Sequence, residues 1–138
     1  GIFDDFDVGV TIRFMEGSHD HISAGFELRF DGDKGDYVFR ISAQGTFQVG
    51  WHKAKEWGDT LVGWTTHPSL RTEMGAANRL RVVLQGNKIR VYLNGVLATS
   101  LRDERYSSGL VRVVVSPYSK KPNTVVAFSD LQLREVDR

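Results

Sequence analysis

Asn78–Ala98 reads NRLRVVLQGNKIRVYLNGVLA, and the fold is decided there. Leu80, Val82 and Leu84 alternate with Arg79, Arg81 and Val83, the period-two pattern of a strand with one buried face. Beyond Gly86-Asn87, Ile89, Val91 and Leu93 alternate with Arg90, Tyr92 and Asn94. Asn94-Gly95 then predicts a two-residue hairpin turn, because both central positions of the turn that matches strand twist need positive φ. Val96–Ser100 is the return strand. Three strands joined by two tight turns make a meander with one apolar face, which a second layer must cover.

The same alternation extends in both directions. Phe6, Val8, Val10, Ile12 and Phe14 form one stripe, and Ala24, Phe26, Leu28 and Phe30 another. The turn DGDKGD (31–36) leads to Tyr37, Phe39 and Ile41, and Gln44-Gly45 leads to Phe47, Val49 and Trp51. Residues 53–78 are the least regular, with only Leu61–Thr65 suggesting a short strand. Leu110–Ser116 is a long apolar strand. Thr124–Glu135 is the last, kinked at Ser129-Asp130 where the alternation slips by one residue. No window has helical spacing. About ten strands at this spacing predict an all-β fold, a two-sheet antiparallel jelly-roll sandwich, as a single domain over residues 1–138.

Composition narrows the function. Eighteen basic and 17 acidic side chains leave a net charge of +1 over 138 residues, unlike the basic excess of a nucleic-acid binder. No apolar run approaches the roughly 20 residues of a membrane span, so no membrane insertion is expected. With no cysteine, structural disulfides and thiolate zinc sites are excluded.

The ordered set Asp5-Phe6-Asp7-Val8, Gly25–Phe30, Tyr37–Ile41, Gly45-Thr46-Phe47, Trp64, Asn78–Val82, Tyr92–Gly95, Gly109-Leu110-Val111 and Phe128–Leu131 resembles the concanavalin A-like lectin/glucanase jelly roll in its laminin-G-like form. The resemblance spans nearly the whole chain and implies a non-catalytic recognition module, most often for glycans. It implies an extracellular or periplasmic location, as part of a larger bacterial protein. Such domains begin with a strand upstream of the position of Asp5. Its loss implies a trimmed domain, or a sheet edge open to another chain.

Glycoside hydrolases of this superfamily carry a Glu-x-Asp-x-x-Glu strand that sets carboxylates on one face. Here Glu27 is the one carboxylate inside that strand, and Arg29 two residues on suggests an ion pair instead. No Gly-x-Ser-x-Gly elbow is present. No catalytic residue is therefore expected. Asp31, Asp33 and Asp36 would suit a hard cation such as calcium, the one cofactor the letters allow, although a glycine-rich turn explains them without metal. His19-Asp20-His21 is a second metal-capable spacing. Of the three tryptophans, Trp51 continues a core stripe, Trp64 matches a structural tryptophan of the resembling family, and Trp57 sits in the charged loop KAKEWGD. The expected glycan-binding set is therefore Trp57 with Arg40, Gln48, His52, Arg81, Arg90 and Tyr92. Indoles stack on sugar C–H faces, and arginine, glutamine and tyrosine bond hydroxyls or anions. The in-strand arginines read equally as cross-strand partners of Asp7 and Glu27. The alternatives to a lectin are a protein-interaction or sensory ectodomain and a degenerate glycosidase.

Overall fold

The computed structural model describes residues 4–16, 22–117 and 124–137. His19-Asp20-His21 lies outside the described residues. The ten strands are β1 (Phe6–Glu16), β2 (Ile22–Asp31), β3 (Gly35–Ser42), β4 (Thr46–Lys53), β5 (Glu56–Thr66), β6 (Asn78–Gln85), β7 (Lys88–Leu93), β8 (Val96–Arg102), β9 (Leu110–Pro117) and β10 (Val125–Glu135). They form two five-stranded sheets, ordered β10-β1-β6-β7-β8 and β5-β4-β3-β2-β9. Every strand pair is antiparallel. This is the two-sheet sandwich that the alternation predicts. Among the described residues no helix is long and apolar enough to cross a membrane.

The apolar stripes meet between the sheets. Phe6, Val8, Val10, Ile12, Leu80, Val82, Leu84, Ile89, Val91 and Leu93 come from the first sheet, and Ala24, Phe26, Leu28, Tyr37, Phe39, Ile41, Phe47 and Val49 from the second. The meander forms as read. Leu93 pairs with Val96 across Asn94-Gly95, whose φ values are 51° and 82°. Asn94 and the buried Asn78 then clasp the loop before β6. Asn78 accepts from Arg71 N and donates to Arg71 O, both at 2.9 Å, and Asn94 Nδ2 donates to Ser69 O at 2.6 Å. The expected slip in β10 is a bulge at Asp130, where φ is 52° and the register with β1 shifts.

Three expectations are corrected. Leu61–Thr65 is the end of an eleven-residue edge strand, β5, paired to β4 through three register shifts. Its alternation is hard to read because little of an edge strand is buried. Arg29 does not pair with Glu27. It sits at a bulge with φ 52°, which turns its side chain out of the alternation into the end of the sandwich, 1% exposed. There it donates to Asp4 O (2.7 and 3.1 Å) and Tyr106 O (3.0 Å) and faces Asp5 at 3.4 Å. Finally, the open edge expected at either the N-terminal strand or the strand over residues 124–135 falls at the second alone, since β1 lies inside its sheet between β10 and β6 and β10 is the edge.

Candidate functional site

The outer face of the second sheet carries the residues that alternate with its core stripes. On β3 these are Asp36, Val38, Arg40 and Ser42, on β4 Gln48, Gly50 and His52, and on β2 Gly25 and Glu27. Register decides which of them meet. Arg40 lies opposite Gln48, and Asp36 opposite His52, while Trp57 of β5 lies opposite His52 on the other side. Gly50 has no side chain, and the indole of Trp57 occupies that space, so a Cβ added at Gly50 would run into the ring.

Arg40 is the centre of this surface. Its guanidinium carbon lies 5.3 Å from the Trp57 ring centroid and 5.6 Å from that of Trp64, inside the range of cation–π attraction. Nη2 donates to Gln48 Oε1 at 2.6 Å and Nη1 to Ser116 Oγ at 3.4 Å. Nε is buried and has no acceptor among the described residues. The two indoles remain open to solvent, Trp57 at 43% and Trp64 at 46%. The Trp64 expectation is thereby corrected: it is as exposed as Trp57 and shares its cation. Trp51 packs against the core as expected, under the guanidinium of Arg105 at 4.4 Å.

Beside this triad the face turns acidic. The ligand atoms of Glu27, Asp36 and His52 lie within 4.8 Å of one another. Asp36 Oδ1 is 2.6 Å from His52 Nδ1. Burial, then the Glu27 carboxylate acting as hydrogen-bond acceptor and as negative charge, pushes the Asp36 carboxyl up to about 8. Burial also lowers the His52 imidazole. Both shifts favour a neutral hydrogen bond between the two side chains over an ion pair. A cavity of about 360 Å³ opens over the cluster, with Phe30, Lys55 and Arg112 on its wall.

The seven expected ligand-binding residues divide between the two sheets. Trp57, Arg40, Gln48 and His52 come together as described. Arg81, Arg90 and Tyr92 lie on the outer face of the first sheet. Arg81 forms a two-pronged bond to Asp7, Nε to Oδ1 at 2.9 Å and Nη2 to Oδ2 at 2.8 Å, and its guanidinium lies 4.8 Å over Tyr92. Arg90 reaches the Tyr92 hydroxyl at 3.5 Å. The three aspartates of DGDKGD do not converge. Asp31 Oδ1 accepts from Asp33 N at 3.0 Å and shapes the turn, while Asp36 faces His52.

Trp64, Glu27 and Arg112 were not in the expected set. A sequence signal existed for part of this. A hairpin centred on Gln44 fixes Asp36 opposite His52, and one centred between Gly32 and Asp33 sets Glu27 on the same face two positions from Asp36. No comparable signal places Trp64, because the register shifts of β5 are invisible in the letters.

No family model and no curated protein sequence matches the chain. Solved structures do. The carbohydrate-binding module CBM66 from Bacillus subtilis is similar with a TM-score of 0.75 at 17% identity, over 98% of this chain and 78% of that one. Sheep galectin-11, in a complex with glycerol, gives 0.65 at 10% identity over 95% and 90%. A. japonicus CB05 gives 0.70 at 15% identity, over 97% of this chain and 23% of that one. At these identities the likeness is one of fold, a two-sheet antiparallel β-sandwich.

Proposed function

We propose that the chain is a non-catalytic carbohydrate-binding module of the laminin-G-like, concanavalin A-like kind, with its ligand on the outer face of the second sheet. The observation that carries this reading is Arg40 held between two half-exposed indoles. Indoles offer flat apolar surface for sugar C–H faces, and a guanidinium fixed by Gln48 and Ser116 offers directed donors beside them. His52 and the Glu27–Asp36 pair supply further polar contacts along the same face. Fold likeness to a carbohydrate-binding module and to galectins supports the class. An extracellular or periplasmic location goes with this reading.

The carboxyl pair favours binding over hydrolysis. Catalytic carboxyls of glycosidases flank the scissile bond at about 5–5.5 Å or more. Glu27 and Asp36 instead have carboxylate oxygens within 4.8 Å of each other on adjacent strands of one sheet face, inside that spacing. A second reading, docking of another protein chain, is favoured by the open edge β10, where Val125, Leu131 and Leu133 are exposed. A glycan array probed with the native protein, Trp57→Ala and Trp64→Ala, each with and without calcium, decides between them. Binding that both substitutions abolish supports the glycan module. No binding to any glycan, together with capture of a strand peptide at β10, moves the function to protein recognition.

A further inference from the structure

The Glu27–Asp36–His52 cluster has a property that sugar binding does not require. Its three side chains come from three adjacent strands, β2, β3 and β4, and converge from fixed backbone positions rather than from a loop. Asp36 is 1% exposed and lies directly opposite His52 in the ladder, so neither can drift far. Their ligand atoms fit within 4.8 Å of one another. A zinc ion bound at about 2.0–2.2 Å from each would need them about 3.3–4.2 Å apart, so the 2.6 Å contact between Asp36 and His52 would open by about 1 Å while any wider separation in the group closes by less than about 1.5 Å.

We infer that Glu27, Asp36 and His52 form a binding site for a divalent transition metal, best matched by zinc, with its open coordination position facing the cavity above the cluster. The donor set selects the metal. With the proton of Asp36 released on binding, two carboxylate oxygens and one imidazole nitrogen are the borderline set that zinc accepts with three protein ligands and one exchangeable position. Calcium prefers six to eight oxygens, and the cluster brings two carboxylates and a nitrogen. Arg112 lies opposite Glu27 in the ladder and its charge acts on Asp36, but among the described residues no lysine or arginine makes a salt bridge to the three side chains. Arg112 stacks on the Phe30 ring at 4.4 Å, and Arg40 is held by Gln48 and the two indoles. The roughly 360 Å³ cavity leaves room for water on the metal. The site shares Asp36 with the DGDKGD calcium reading and differs from it in its metal and in its other two ligands, which come from β2 and β4. It also stands whether or not a glycan binds next to it.

The test is calorimetric titration of the glycan-free protein with zinc chloride and, separately, calcium chloride. It is run on the native chain, Asp36→Asn, His52→Gln and the double variant His19→Ala/His21→Ala, with circular dichroism confirming that each is folded. The expected result is saturable binding of one zinc per native chain, no calcium heat, and affinity weakened about tenfold or more in Asp36→Asn and in His52→Gln. The His19/His21 variant keeps native affinity. His52→Gln alters a half-exposed side chain and keeps the test valid if Asp36→Asn fails to fold. Absence of saturable zinc binding overturns the inference. So does native affinity in the folded Asp36 and His52 variants, or its loss in the His19/His21 variant alone.

Discussion

On the outer face of the first sheet, Arg81 and Arg134 close on the same carboxylate, Asp7, and Arg81 also covers Tyr92. On the outer face of the second, Arg40 meets no carboxylate at salt-bridge distance among the described residues and lies against two indoles. Both faces derive from the same alternation of arginine with apolar residues. They differ in where the acids sit. Asp7 lies on the strand next to Arg81 and satisfies its guanidinium bidentately, leaving little for a ligand. Glu27 and Asp36 lie beside each other instead, so the second face retains an aromatic-flanked cation and, in Asp36, a buried carboxyl that is costly to ionise. Counting arginines along a strand says nothing about binding until their partners are known.

The largest expected effect tests that contrast directly. Trp57→Ala or Trp64→Ala should weaken glycan binding about 30-fold, the ~2 kcal/mol of an aromatic anchor, whereas Arg81→Ala leaves it unchanged. Titration of the best array ligand against the three variants measures this. The reverse pattern would move the ligand to the first sheet.

Next comes the acidic pair. The Asp36 carboxyl is raised from 3.8 to about 8 in the folded protein, so the fold holds its proton more tightly than the unfolded chain does. The favourable contribution is complete below the unfolded value, and stability falls as pH rises from there through about 8. Asp36→Asn should remove that slope and raise the melting temperature above neutral pH by about 4 °C or more. Thermal melts across the pH range, without metal, check it; a variant with the native slope would refute it.

Asp7 runs the other way. The hydrogen bond from Arg81 leads the causes that hold its carboxyl below 3.8. Its contribution is present above that value and disappears as pH falls below it. Asp7→Asn should cost about 1 kcal/mol at neutral pH and nothing in strong acid, measured by urea unfolding at both. The smallest effect belongs to Arg90, whose side-chain hydrogen bond among the described residues is the long reach to Tyr92. Arg90→Ala should change stability by less than about 0.5 kcal/mol and leave glycan binding intact.

Every strand but β5 was legible, as were the Asn94-Gly95 turn and the Asp130 slip, because each rests on local period-two patterning or on a residue that tolerates positive φ. The division of Trp57 and Arg40 from Arg81 and Tyr92 was not. Alternation says which residues point away from the core, but not which of two sheets they point away from. That is fixed by strand order, a long-range property. Arg29 misled for a different reason: one residue with φ 52° inverts the alternation, and nothing in GFELRF announces the bulge. Trp64 was hidden by an edge strand with three register shifts.

Gly50 carries a consequence for any comparison of related or redesigned sequences. The indole of Trp57 lies where a side chain at position 50 would be, so these two positions behave as one shared volume. A sequence that keeps the tryptophan but places valine or leucine at 50 would have to move the ring off the sheet, and its aromatic surface would face somewhere else. The glycine, easily passed over as a weak spot in a strand, is therefore the cheaper marker for sorting which sequences retain this surface. Insertion of side chains of graded size at 50, followed by tryptophan fluorescence, would calibrate it.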